Sequence, residues 1–361
     1  MDQILFRIPF LHIPIYGYGV MMVVGFIGAM YLAQFLARRA RLDPEVFANA
    51  AILALVFGVI GARLSHVLEN LPQYTNPRLS VGQNLFNAIN IREGGLTYYG
   101  GFLLAFPALV LYGMWKRVPI RTGMDIIAPC LMVGLAFGRV GCFLNGCCYG
   151  AQCNLPWATQ FPYGSDAYVT EFNQNVLKQA VPRQLVRDDT PLASYMDARH
   201  LASLQEPLPA EMPRDAAQDL LNPTNLKSKD QVRLGSPAVR DLAARQHADP
   251  VHPAELYNTV TALATAGFLF AFFTLPHLPG RVFAAMMMIE GVFRYLLEMV
   301  RVEPAVAGRG TGYLEFLPAQ SYSMVVSIFL VLGGLALWYA FGRIAAARGE
   351  TRLAAGRMAM A

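Results

Sequence analysis

The sequence predicts an all-α polytopic membrane protein with seven transmembrane helices, the N-terminus outside, the C-terminus cytoplasmic, and an inserted loop region on the outer side. Three observations carry this expectation. Hydrophobic residues make up 55% of the 361-residue chain and charged ones only 15%, whereas soluble domains carry about 25% charged residues. Apolar runs of roughly 20 residues recur, the length at which a helix crosses a bilayer core. Basic clusters follow alternate runs, which orients them by the excess of Lys and Arg on the cytoplasmic side.

Residues 1–15 are apolar but broken by Pro9 and Pro14, and suit an interfacial segment lying on the bilayer. No cleavable signal peptide is expected, because the first apolar run is long enough to span and lacks a basic leader. Span 1 runs from about Tyr16 to Ala37, followed by Arg38, Arg39 and Arg41. Span 2 runs from about Val46 to Val67 and carries Arg63 and His66. Residues 68–95 are polar with short apolar patches. Span 3 runs from about Leu96 to Trp115, followed by Lys116, Arg117 and Arg121. Span 4 runs from about Asp125 to Phe143.

The outer region 144–252 follows. Its stretch 174–249 is rich in Ala, Asp, Arg and Pro, a composition that favours helical pieces or a flexible insert over a packed core. Span 5 covers about Leu256 to Leu275, and Pro276, Pro279 and Gly280 make a turn. Span 6 covers about Val282 to Val300, and span 7 about Tyr322 to Phe341. The chain thus divides into spans 1–4 (1–143), the outer region (144–252), spans 5–7 (253–345) and a cytoplasmic tail (346–361) bearing Arg348, Arg352 and Arg357. The net charge of +5 follows from arginine-rich cytoplasmic loops, so no nucleic-acid partner is expected. No internal repeat is visible, which counts against a transporter built on inverted repeats.

Chemistry concentrates at the end of span 4, in Gly138-Arg139-Val140-Gly141-Cys142-Phe143-Leu144-Asn145-Gly146-Cys147-Cys148-Tyr149-Gly150. A charge near hydrocarbon costs roughly 2.5–3.5 kcal/mol even on lenient scales, so Arg139 marks either function or a helix end whose arginine snorkels to the interface. Span 6 carries Glu290, Arg294 and Glu298 at intervals of four, with Arg301 three further on, all on one helical face. Such a stripe faces either a polar cavity or a ladder of buried ion pairs. Arginine suits an anionic head group, because its planar fork binds phosphate bidentately.

Span 3 opens with Gly94-Gly95-Leu96-Thr97-Tyr98-Tyr99-Gly100-Gly101, where Tyr98 reads as part of an interfacial belt and Tyr99 as a phenol facing a polar pocket. Asp125 reads equally as the partner of a helix dipole. The cysteine spacing from Cys142 to Cys153 is not the usual zinc pattern. A disulfide involving Cys142 or Cys153, a thiol redox centre and a metal site all remain open.

These stretches resemble the prolipoprotein diacylglyceryl transferase family. The match includes Tyr18-Gly19, Gly61-Ala62-Arg63-Leu64, the paired glycines of span 3, Asp125 with Ala128-Pro129, and the Gly138-to-Gly150 signature. It continues in Pro156-Trp157-Ala158, His252-Pro253-Ala254-Glu255-Leu256-Tyr257, and Gly291-Val292-Phe293-Arg294-Tyr295 with Glu298. The resemblance implies a bacterial inner-membrane transferase with seven spans. It would move the diacylglyceryl group of phosphatidylglycerol onto the lipobox cysteine of a prolipoprotein signal peptide, releasing glycerol phosphate, with neither metal nor organic cofactor.

The resemblance also implies residue roles. Arg139, Arg294, Glu298 and Tyr99 would be catalytic. Tyr18, Arg63, Asn145, Gly100, Gly101, Gly150 and Glu290 would line the substrate site. The chain departs from the family pattern at three points: Tyr99 stands in place of His, Cys142 in place of Asn, and Cys147 in place of Glu. These departures keep a non-enzymatic lipid-binding or transport reading in view.

Overall fold

The computed structural model describes residues 4–7, 14–75, 80–90, 97–173, 176–186, 226–227, 229–301, 305–307 and 320–350. Gly94, Gly95, residues 187–225 of the insert and most of the 301–321 loop fall outside the described residues, as do the side chains of Tyr98 and Tyr99.

Each expected span coincides with a helix. In chain order the elements are β1 (Ile4–Arg7), β2 (Pro14–Tyr16), α1 (Gly17–Arg39), α2 (Pro44–Glu69), α3 (Leu71–Tyr74), α4 (Val81–Ile89), α5 (Tyr98–Trp115), α6 (Ile120–Asn145) and α7 (Asp166–Asn173). After a 3-10 turn at Arg183–Leu185 come α8 (Lys229–Leu234), α9 (Pro237–Arg245), α10 (Ala254–Thr274), α11 (Arg281–Glu298), β3 (Ala305–Ala307), β4 (Gln320–Ser321) and α12 (Tyr322–Ala347). Helices α1, α2, α6, α10 and α12 are long and apolar enough to cross a membrane. Helix α5 contributes only the shorter apolar run Gly100–Trp115, and α11 carries Glu290, Arg294 and Glu298 within its 18 residues.

Local sequence accounts for the helix ends. Pro44 occupies the first turn of α2 and the Asp43 carboxylate accepts from Glu45 N, satisfying a donor the helix cannot. Ser80 and Gln83 form a reciprocal capping box on α4. The N-terminal segment, expected to lie on the bilayer, pairs Ile4–Arg7 with Pro14–Tyr16 as an antiparallel ribbon. Helix α6 begins at Ile120 rather than at Asp125.

The described residues form two compact units. One comprises Phe26–Gly134, Ala264–Ile289 and Leu330–Ala361. Here α2 and α5 cross closely on glycine. A Cβ on Gly101 would stand 2.9 Å from the Gly58 carbonyl, and one on Gly61 would stand 2.7 Å from Leu104 Cβ. Asp125, fully buried, accepts from Gly280 N at 2.6 Å and Phe283 N at 2.9 Å, with His277 Nε2 at 3.6 Å. It therefore serves a helix N-terminus, but that of α11 and not its own. Arg281 lies over the Trp338 ring at 4.0 Å, and Arg121 grips Glu350 through both oxygens at 2.6 and 3.0 Å.

The other unit comprises Met1–Gly25, Leu135–Leu263 and Glu290–Phe329. Its core gathers Phe161, Tyr163, Tyr168 and Phe172 with Leu177, Leu185, Val186, Leu226, Val232 and Val251. The polar composition of 174–249 favoured loose helical pieces. The described ends of that stretch instead supply half of this core, because its scattered apolar residues meet partners far away in sequence. Buried polar groups are satisfied as they must be: Tyr163 Oη donates to the Lys227 carbonyl at 2.9 Å, and Asp249 N donates to Glu171 Oε2 at 2.8 Å. Burial raises the Glu171 carboxyl above its ordinary range.

Candidate active site

The site lies in the second of these units and is built first by the way α6 ends. Arg139 and Cys142 sit on its last two turns, and the helix stops at Asn145. Gly146 adopts a left-handed φ of 73°, which a glycine tolerates without steric cost, and Cys147 N bonds back to the Cys142 carbonyl at 3.2 Å. Cys148 also has a left-handed φ, 67°, uncommon for a residue with a side chain. The three thiols of Cys142, Cys147 and Cys148 converge, every sulfur within 4.8 Å of the others.

All five cysteines are free thiols, so the bridge that the spacing left open is not formed, and Cys153 stands outside the cluster. The Cys142 and Cys147 thiols, bonded to Cys148, hold its thiol below the ordinary range, with Arg139 and Arg301 adding to the effect. Asn145 contacts Cys147 through its side chain. Tyr18, at the start of α1, lies against Gly141, where an added Cβ would come within 3.0 Å of its ring.

The face of α11 supplies the other half. Glu298, only 3% exposed, lies 3.4 Å from Arg294 Nη2 and 3.8 Å from Arg301 Nη1, and accepts from Ser321 Oγ at 3.3 Å. Arg294 Nη2 also donates to Ser323 Oγ at 3.0 Å. The stripe holds an ion-pair ladder, with Ser321 and Ser323 as polar partners. Glu290 is half-buried and feels the charges of both Arg294 and Arg139. The charges of Arg139 on α6 and Arg294 on α11 thus both reach Glu290. Among the described residues Arg139 makes no hydrogen bond, so its guanidinium is available to an anion.

Beside these groups, a cavity of about 400 Å³ is lined by Cys148, Tyr149, Gly150, Gln152, Glu171 and Arg301 among others. Gly150 is held by the motif around His252: its N donates to the His252 carbonyl at 2.9 Å, and a Cβ there would lie 2.7 Å from the Val300 carbonyl. Trp157 Nε1 donates to Tyr257 Oη at 2.7 Å, joining two stretches singled out from the sequence.

The expected site residues Arg63, Tyr99, Gly100 and Gly101 belong to the other compact unit. Arg63 donates from Nε to the Ala88 carbonyl at 2.9 Å and from Nη2 to the Asn87 carbonyl at 2.7 Å, capping the C-terminus of α4. Gly100 and Gly101 serve the α2–α5 crossing. Tyr99 begins α5, and its side chain falls outside the described residues. One residue was not singled out as a site residue. Glu255, at the start of α10, is 1% exposed, neither of its carboxylate oxygens has a hydrogen-bond partner, and it feels the charges of Cys148, Arg301 and Arg139. Its signal was a lone acid opening an apolar span.

Fold and site together define a multi-pass membrane protein whose apolar helices carry a cluster of guanidinium, carboxylate and thiol groups. The family model for prolipoprotein diacylglyceryl transferase matches residues 3–340, and the chain belongs to that family. It is 34% identical over 178 residues to the phosphatidylglycerol–prolipoprotein diacylglyceryl transferase of Rhodopirellula baltica, covering 49% of this chain and 36% of that one. It is 31% identical to the protein of the same name from Corynebacterium glutamicum strain ATCC 13032, covering 43% and 48%. These matches span half or less of the relatives' length. Against the protein of that name from Pseudomonas fluorescens it is 25% identical over 338 residues, 91% of this chain and 90% of the other.

Proposed function

We propose that this protein transfers the diacylglyceryl group of phosphatidylglycerol to the lipobox cysteine of prolipoproteins, forming a thioether and releasing glycerol phosphate. The reading includes seven spans with the N-terminus outside, in a bacterial inner membrane, α5 and α11 being the two spans that need neighbours to shield them. The observation that carries it is that the charges of Arg139 and Arg294 both reach Glu290, in a chain of this family.

Displacement at a glyceryl carbon leaves a phosphate dianion, and the leaving charge must be stabilised where it develops. Arg139 and Arg294 hold the phosphodiester, and Glu298 orients Arg294 from below. Tyr18, Asn145 and Gly150 shape the walls around the acceptor. Tyr99 stands at the position of the family's histidine, and a phenol with an ordinary pKa near 10 accepts a proton poorly at neutral pH. The acceptor thiol therefore needs a further means of losing its proton.

The test uses membranes containing the protein, phosphatidylglycerol with labelled acyl chains, and a lipobox peptide. Label on the peptide cysteine, lost in Arg139→Ala and Arg294→Ala, supports the transferase. Head-group binding by the protein without any release of glycerol phosphate would instead establish the non-enzymatic lipid-binding reading.

A further inference from the structure

Two of the chain's three departures from its family's signature fall at one place in the fold. Cys142 and Cys147 replace an asparagine and a glutamate, and Cys148 follows. The three sulfurs, each within 4.8 Å of the other two, converge where α6 ends. Sulfurs bound to one zinc ion at about 2.3 Å lie roughly 3.8 Å apart in tetrahedral geometry, a spacing this cluster reaches by small side-chain rotations. The turn that brings them together uses a left-handed Cys148, a conformation that costs on the order of 1–3 kcal/mol and persists only where surroundings enforce it.

Charge agrees with a cation. Three thiolates carry three negative charges. A divalent ion offsets two of them, and the Arg139 and Arg301 charges act on the Cys148 thiol from outside the cluster.

We propose that Cys142, Cys147 and Cys148 hold a single zinc ion whose fourth position is open to the thiol of the acceptor cysteine. The substrate half of this inference rests on the transferase reading; the metal site does not. Three protein ligands with one open position is the arrangement of catalytic zinc. The acceptor S–H binds the metal as a thiolate, and its proton passes to water. The sulfur lone pair then forms the C–S bond to the glyceryl carbon. The C–O bond to the phosphate breaks, its electron pair leaving with glycerol phosphate, held by Arg139 and Arg294. The neutral thioether is a weaker ligand and departs from the metal. No oxidant or reductant enters, and no side chain has to act as general base, which accounts for Tyr99 and Cys147 at the positions of the family's His and Glu.

The full chain is purified in detergent, stripped by chelation, and reloaded with zinc or with cobalt(II) as a spectroscopic probe. The expected result is one metal per chain, with sulfur-to-cobalt absorption, and an affinity about 10–100-fold lower in Cys142→Ser and in Cys147→Ser. A lipobox peptide bearing cysteine intensifies the sulfur-to-cobalt band, and its serine counterpart does not. Failure of the reduced wild-type chain to bind either metal overturns the proposal without requiring any variant to fold. So does a Cys142–Cys147 or Cys142–Cys148 disulfide in protein alkylated directly in cells. Full transfer by the stripped protein overturns the catalytic role and leaves the transferase reading standing. A loaded protein that coordinates the peptide thiol but transfers nothing supports the metal site and overturns the transferase reading.

Discussion

Glu298→Gln is the most informative single change at the site. The native carboxylate is 3% exposed and stands between two guanidiniums at 3.4 and 3.8 Å, whose side chains are 19% and 13% exposed. At an effective dielectric of about 20, one such contact is worth roughly 5 kcal/mol of gross attraction, much of it offset by desolvation. Removing one partner of a buried pair typically costs about 3–5 kcal/mol, since the remaining charge stays buried. Glutamine keeps an acceptor for Ser321 Oγ but removes the negative charge that Arg294 and Arg301 both face.

The expected outcome is destabilisation by about 3 kcal/mol. If Arg294 is held for the leaving phosphate, kcat/KM for the labelled-lipid transfer falls by about 100-fold, since each tenfold corresponds to about 1.4 kcal/mol. Thermal unfolding in detergent and initial transfer rates per folded molecule measure the two effects. Wild-type stability together with wild-type transfer would refute the idea that Glu298 organises the two arginines. Lost stability with an unchanged rate per folded molecule would reduce the residue to structure.

Three further outcomes follow from the first unit. Asp125→Ala leaves Gly280 N and Phe283 N without an acceptor and should lower stability by about 2–4 kcal/mol, read as a drop in midpoint temperature. Gly100→Val puts side-chain atoms into Ser65 and the Gly61 carbonyl, and should destabilise by about 1–3 kcal/mol or more through overpacking, also read by thermal unfolding. Arg121 holds the Glu350 carboxyl below the ordinary carboxylate range. A lowered folded-state pKa gives stability that is present above the unfolded value and lost as pH falls through the folded one. Glu350→Gln should therefore flatten part of the acid limb of the stability curve, and an identical acid limb would remove this contact from the account.

The five helices long and apolar enough to cross a membrane were legible because a bilayer crossing demands a long apolar run, and such a run survives in the sequence whatever its neighbours are. Each expected span overlaps its helix. The ionic stripe of α11 was equally readable, since intervals of four place Glu290, Arg294 and Glu298 on one face by helix geometry alone. The packed core within residues 144–252 was not, because Leu177, Leu185, Leu226 and Val232 are separated by polar chain, and their contacts leave no periodic trace.

Arg63 and the glycine pair of α5, expected in the substrate site by motif, make a helix C-terminal contact and a close helix crossing that spacing alone did not reveal. Composition and spacing were enough to establish a membrane protein carrying arginines where hydrocarbon disfavours them. Only the tertiary structure decided which charges act on one another, that Asp125 serves a helix other than its own, and that three cysteines close into one cluster. Those facts depend on backbone turns at Gly146 and Cys148 and on contacts between distant segments, neither of which linear order encodes.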